Sequence, residues 1–186
     1  RKAIALAFEY DTALNAILGG ATPAAGMVPM IVSGHDEAIQ PLSTNLDEAK
    51  QLGYKFVTGV ELEFYVFKTD TDGSPLLTSP TDRASYFDMS SVVAQSLRRE
   101  MMETLNALNI GVTSAHSEIG NGQHEIDLAH GEAMVMADNV LTARVALKQV
   151  AARHGLYCTF MPRPSAEQPG SGMHIHQSLF DVSNGR

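Results

Sequence analysis

The sequence predicts an α+β fold built on a largely antiparallel sheet. Three observations carry this expectation: short β-branched and aromatic runs bounded by turn residues, two long amphipathic helical stretches, and a mixed order of the two instead of a regular βαβ alternation. The chain of 186 residues is 44% hydrophobic and 18% charged, which suits one packed domain of ordinary size and argues against disorder.

Residues 1–18 are helix-compatible and stop at Gly19-Gly20; residues 22–26 read as loop and residues 27–32 as a short strand. Residues 47–52 read as a helix end with Gly53 in the capping position. Residues 55–68 are the strongest strand, carrying Val57, Val60, Leu62, Phe64, Tyr65, Val66 and Phe67 and interrupted by Gly59. Residues 70–75 form a turn by composition. A helix is expected over residues 90–108, with Val93, Leu97, Met101, Leu105 and Leu108 on one face and Arg98-Arg99-Glu100 on a solvated one. Two strands, residues 112–119 and 124–128, are joined by Gly120-Asn121-Gly122. A second helix over residues 131–154 carries the stripe Met136, Val140, Leu147, Ala151 and stops at Gly155. Residues 156–161 form a strand, residues 162–172 a Pro/Gly loop and residues 173–180 the last strand. Met101, Met102, Met134 and Met136 read as helix packing, and Cys158 as a small buried side chain.

The formal charge of −8, from 21 acids and 13 bases, gives no support to a nucleic-acid-binding face. No apolar run approaches the roughly 20 residues of a membrane span, and no signal peptide opens the chain. A single cysteine excludes an intrachain disulfide and a thiolate zinc cage, so a cytoplasmic setting without membrane or nucleic-acid partners is expected.

Three constellations carry chemistry. Glu61 and Glu63 stand two apart on a strand, so both carboxylates share one face, either as a solvated surface or around a cation. Glu118 and Glu125 flank a glycine turn that lets two acids converge. His174 and His176 are another same-face pair, suited to a metal or a phosphate, and the preceding Gly170-Ser171-Gly172 can bring backbone amides to an anion. Taken together, four carboxylates and an imidazole form a hard, oxygen-rich set that favours Mg²⁺ or Mn²⁺ over zinc or copper. Five ligands exceed what one Mg²⁺ takes, so two or more metal positions are expected, and paired divalent ions beside a glycine loop suggest phosphoryl chemistry.

The segments Gly59-Val60-Glu61-Leu62-Glu63-Phe64-Tyr65, residues 114–127 around Glu118-Ile119-Gly120-Asn121-Gly122-Gln123-His124-Glu125, and residues 160–179 with Gly170-Ser171-Gly172-Met173-His174-Ile175-His176 resemble, in order, the metal-binding and ATP-region signatures of glutamine synthetases. The resemblance covers residues 44–186. It implies a curved antiparallel sheet, a partial barrel with flanking helices, as an incomplete catalytic domain, with residues 1–43 an unassigned remnant of the family's small N-terminal domain. It implies a ligase that joins glutamate and ammonia at the expense of ATP through γ-glutamyl phosphate. Glu63, Glu118 and Glu125 would hold one metal ion, Glu61 and His174 another, His176, Gln177 and Ser178 would line the nucleotide site, and Gly170 would contact glutamate.

No catalytic acid or base is assigned within these residues, because the family's remaining arginines and acids lie beyond the last strand. The segment alone is therefore not expected to make glutamine at family-like rates. The family also implies a homo-oligomer, a dodecamer of two stacked six-membered rings. Arg163 stands where the family usually has Lys, Pro169 where Asn is common, and Ser117 where a second His is frequent. A γ-glutamyl–amine ligase, a non-catalytic structural homologue and, more weakly, a metallohydrolase are the competing readings.

Overall fold

The computed structural model describes residues 51–183. Among the described residues nine elements follow one another: β1 (Tyr54–Thr69), β2 (Pro75–Pro80), α1 (Val92–Ala107), β3 (Val112–Ser117), β4 (Gln123–Leu128), β5 (Gly131–Glu132), α2 (Ala133–Arg153), β6 (Leu156–Thr159) and β7 (Met173–Asp181). The chain divides into two compact units, Thr58–Gln177 and a second one whose described residues are 51–57 and 178–183. In the second, Val182 N–H donates to the Gly53 carbonyl (3.0 Å) and Gly53 takes φ +76°, the left-handed geometry expected of its capping position. The expectations for residues 1–43 lie outside the described residues.

The long strand β1 organises the sheet, pairing with β2, β4, β5, β6 and β7, while β3 pairs with β4. The pairings of β1 with β2, β4 and β6, and of β3 with β4, are all antiparallel. The sheet is an open antiparallel one with two helices, the α+β class that the sequence predicts.

Alternation along β1 decides its faces. Val60, Leu62, Phe64 and Val66 enter the core with Ile126 and Leu128 of β4, Leu97, Met101 and Leu105 of α1, and Met136, Ala143, Leu147 and Val150 of α2. Each fully buried large side chain contributes about 1.5–3 kcal/mol of transfer free energy, so this shared core is what holds both helices against the sheet.

The helix ends follow their local chemistry. Ser91 Oγ accepts from Ala94 N (3.2 Å) as the N-cap of α1. At its other end Asn109 adopts φ +60°, and the amides of Asn109 and Ile110 bond back to Asn106 O (3.0 Å) and Leu105 O (2.9 Å), a Schellman closure. Gly155 at φ +64° ends α2 as its glycine predicts.

Several local expectations are corrected. Arg98 is not on a solvated face: it is buried at 8% exposure, and Glu100 pairs with Arg153 (2.8 Å) and His154 (2.6 Å), tying α1 to the end of α2. Val93 and Met134 are exposed, because each lies in the first turn of its helix, ahead of the buried stripe. Gly59 does not interrupt β1, Pro75 opens the unforeseen strand β2, and the strands expected to reach Ile119 and Met161 end at Ser117 and Thr159. Cys158 is buried as expected, and burial pushes its thiol up to about 12.

Candidate functional site

Register places the acids. In the β1–β4 ladder Glu61 faces Asp127 and Glu63 faces Glu125, and in the β3–β4 ladder Ser114 faces Asp127 and His116 faces Glu125. Two polar rows therefore cross three strands on one face: Glu63, Glu125, His116 and, beside it, Glu61, Asp127, Ser114. The intervening residues, Leu62, Ile126, Phe64, His124 and Ser117, point to the helix-covered face. Glu118 follows β3 directly, and its amide donates to the Gln123 carbonyl (3.0 Å), which closes the hairpin.

This geometry brings five of the predicted ligands together. Glu63, Glu118 and Glu125 each offer an oxygen within 4.8 Å of the others, and an oxygen from each of Glu61 and Glu125 groups with a ring nitrogen of His174 within the same distance. Glu118 and Glu125 are 4% and 7% exposed, so neither is a solvated surface acid. Two ionised carboxylates at 4.8 Å repel by roughly 3 kcal/mol at an effective dielectric of 20, enough to require a proton or a cation between them. Accordingly, burial first, and then the hydrogen bond and charge of Glu118 with the charges of Asp127 and Glu63, push Glu125 up to about 9. One oxygen of Asp127, Oδ1, is buried without a hydrogen-bond partner, while Oδ2 accepts from the Ser114 hydroxyl. A clustered oxygen-donor set with a raised carboxyl and an orphaned carboxylate oxygen fits hard divalent cations such as Mg²⁺ or Mn²⁺.

His174 and His176 extend from one side of β7 and both reach Glu61. His174 Nδ1 lies 2.9 Å from Oε2, and His176 Nε2 lies 2.6 Å from Oε1. The hydrogen bond from His176, opposed by burial and assisted by the bond from His174, holds the Glu61 carboxyl below its ordinary range. His174 thus joins the acids as expected, and His176 meets the same carboxylate. Gln177 and Ser178 follow on β7, both exposed.

The loop after β6 is locked onto the site by Gln123. Its Nε2 lies 3.0 Å from Glu63 Oε2, 3.0 Å from the Gly170 carbonyl and 3.3 Å from Ser171 Oγ, and its Oε1 accepts from Gly120 N (2.9 Å). Tyr65 Oη donates to the Pro169 carbonyl (2.7 Å). The expected anion-facing amides are partly committed elsewhere: Gly172 N donates to Glu63 Oε2 (2.9 Å) and Ser171 N to the Pro162 carbonyl (2.7 Å). Gly172 must be small, since a Cβ there would stand 3.0 Å from Glu63 Oε1 and 3.2 Å from His174 Nε2. Beside Glu63 opens a cleft of about 400 Å³, lined by Arg144, Phe160, Pro162 and Met173, with the Arg144 guanidinium 5.3 Å from the Phe160 ring centre.

Sequence reasoning missed Asp127, His116, Gln123 and Tyr86. Asp127 and His116 could have been found by stepping two residues from Glu125 and Glu118 along their strands. Both join Glu125 in a third group within 4.8 Å. Tyr86 gave no such signal: it lies in the irregular segment before α1, and its hydrogen bond to Glu118 pushes the phenol up to about 12.

The comparisons with known proteins agree with this arrangement. Residues 40–186 match the family model described as glutamine synthetase, catalytic domain, and the chain belongs to the glutamine synthetase family. It is 40% identical over 134 residues to the glutamine synthetase of Clostridium saccharobutylicum, covering 72% of this chain and 30% of that protein. To the Halobacterium salinarum glutamine synthetase it is 41% identical over 143 residues, covering 76% and 31%. The chain thus spans about 30% of the length of these relatives. Among solved structures it resembles ligand-free GmaS, with TM-score 0.61 and 30% identity over 73% of this chain and 32% of that one. The glutamine synthetase of Plasmodium falciparum, TM-score 0.61 at 24% identity over the same 73% and 32%, shares the fold.

Proposed function

We propose that this chain is the cation- and nucleotide-holding part of an ATP-dependent ligase that joins L-glutamate and ammonia to form glutamine. The observation that carries the reading is the convergence of Glu63, Glu118 and Glu125 within 4.8 Å on a sheet face that also gathers Glu61 and His174. Family membership supports the reaction class, and a related GmaS structure is a complex with ADP.

In this reading Glu63, Glu118 and Glu125 hold one divalent ion, and Glu61 with His174 holds another. When bound, the ions supply positive charge that offsets the phosphate oxygens of ATP. The protein's own residues do the rest by position. Gln123 orients Glu63 through one oxygen, Gly172 N orients the same carboxylate, and the two imidazoles fix Glu61, so the donors need little rearrangement to meet their ligands. His176 and Gln177 line the nucleotide, and Gly170 contacts glutamate. The remaining glutamate and phosphate contacts come from parts of the protein outside this segment, and the whole protein assembles as a homo-oligomer.

The test is product analysis on the intact protein with labelled ammonia, glutamate and ATP, with Mg²⁺ or Mn²⁺ and with small amines or polyamines as competing acceptors. The expected result is labelled glutamine formed in step with ADP, abolished by chelation. Preferential capture of an amine would move the assignment to a γ-glutamyl–amine ligase. Absence of any glutamate-dependent ADP release would overturn it.

A further inference from the structure

The face of the sheet opposite the acids carries a buried polar group that cation binding does not touch directly. Arg98 projects from α1 at 8% exposure. Its Nη1 donates to His124 Nδ1 (2.8 Å) and to Ser117 Oγ (3.1 Å), and its Nη2 to Ser90 Oγ (2.7 Å), which itself lies 2.7 Å from Ser117 Oγ. A guanidinium only donates, so His124 accepts at Nδ1 and carries its proton on Nε2. Asp82 lies within electrostatic reach of Arg98, and its carboxylate is fastened by the amides of Arg83 (2.9 Å), Ala84 (3.3 Å) and Ser91 (3.1 Å).

A buried guanidinium is costly, and a side chain such as Met would fill the same space without that cost. What Arg98 does that Met cannot is hold two strands at one point. Ser117 and His124 are the pair that ends the β3–β4 ladder before the glycine turn. Each is followed in sequence by an acid of the opposite face: Glu118 after Ser117, Glu125 after His124. Those two acids repel each other from the two arms of one hairpin, on either side of Gly120-Asn121-Gly122.

We propose that Arg98 is a positioning residue, which pins Ser117 and His124 across the hairpin and so fixes the separation of Glu118 and Glu125 for the cation they share. The inference rests on the cation reading of these glutamates given above. It makes α1 part of the cation site at one remove, through hydrogen bonds on the helix-covered face to the residues that directly precede Glu118 and Glu125.

The test is Mn²⁺ titration of the intact protein, read from the free-ion electron paramagnetic resonance signal, alongside thermal unfolding. The variants are Arg98→Met, Arg98→Lys, Ser117→Ala and, as a control for general loosening, Met101→Ala in the same helix. Both Arg98 variants are expected to weaken Mn²⁺ binding roughly 10- to 100-fold. Lys keeps the charge but has one nitrogen, which cannot bond His124 and Ser117 as Nη1 does while a second nitrogen holds Ser90, so it does not rescue binding. Ser117→Ala, which removes one neutral partner, weakens it about threefold to fivefold. Met101→Ala lowers the unfolding temperature and leaves the affinity at the wild-type value. Arg98→Lys and Ser117→Ala binding Mn²⁺ as wild type does, or Met101→Ala weakening it as much as they do, overturns the positioning role alone. Failure of the wild-type protein to take up Mn²⁺ overturns the cation reading and this inference with it.

Discussion

Glu63 of β1 and Glu125 of β4 are direct partners across an antiparallel ladder, and with Glu118 their carboxylates fall within 4.8 Å of one another. Like charges set directly opposite each other in a sheet are destabilising. The pairing is therefore a place where stability is given up unless a proton or a cation intervenes, and this defines the first prediction.

Glu125 is raised from 4.5 in the unfolded chain to about 9 in the fold. Between those values the folded state holds a proton that the unfolded state has lost, so the stability of the cation-free protein falls as pH rises. The contribution is fully present below 4.5 and gone above about 9. Denaturant midpoints measured across that window in chelator should decline with pH, and Glu125→Gln should flatten the decline. Excess Mn²⁺ should also flatten it, because binding displaces the proton. An unchanged slope in Glu125→Gln would mean that another group carries the effect.

Glu118→Gln separates folding from binding. Removing one charge from the cluster should raise the unfolding temperature in chelator, by the same logic that places a proton on Glu125. The same change removes a donor oxygen and should weaken Mn²⁺ binding by at least about tenfold, that is about 1.4 kcal/mol. Calorimetry of unfolding and binding on one preparation checks both signs together; a variant less stable and equally avid for Mn²⁺ would contradict the arrangement.

Much of this site was legible because a strand has a period of two. Stepping by two from Glu61 reaches Glu63, and from His174 reaches His176, and these pairs do share faces. The helix α1 was legible in the same way at Leu97, Met101 and Leu105, whose spacing gives one buried face. Arg98 was misread because periodicity assigns it to the flank of that face, and nothing local reveals that Ser117 and His124, distant in sequence, wait there with acceptors. Strand β2 was missed because none of its residues is buried, a proline stands at each end, and its pattern carries no alternation. The contrast gives a prediction of its own. Met101→Ala, at 0% exposure, should cost about 2–5 kcal/mol. Val93→Ala, at 61% exposure, should change stability by no more than about 0.5 kcal/mol.

Gly120 is fixed by contact instead of by backbone angle. A Cβ on it would stand 2.0 Å from Tyr65 Oη and 2.7 Å from Tyr65 Cζ. Gly120→Ala should therefore destabilise by about 1–3 kcal/mol through overpacking. Adding Tyr65→Phe removes the worst contact, so the double variant should lose less than the sum of the singles. A urea double-mutant cycle measures this, and strict additivity would show that the turn moves away from the tyrosine instead.

The two imidazoles on Glu61 have different surroundings, and different losses should follow from removing them. His174 reaches Glu61 through Nδ1 and stands with Glu61 and Glu125 in a group within 4.8 Å, where its loss removes a donor from the cluster. His176 reaches Glu61 through Nε2 at 2.6 Å and is not part of that group, where its proposed task is the nucleotide. His174→Ala should therefore weaken Mn²⁺ binding by about tenfold or more, and His176→Ala should lower nucleotide affinity by about tenfold while changing Mn²⁺ affinity by less than about threefold. Equilibrium dialysis with Mn²⁺ and a titration with a fluorescent ATP analogue give the two numbers for each variant. Equal losses of both ligands in both variants would mean that the histidines act as a single clamp on Glu61, and the division of labour between cation and nucleotide would have to be abandoned.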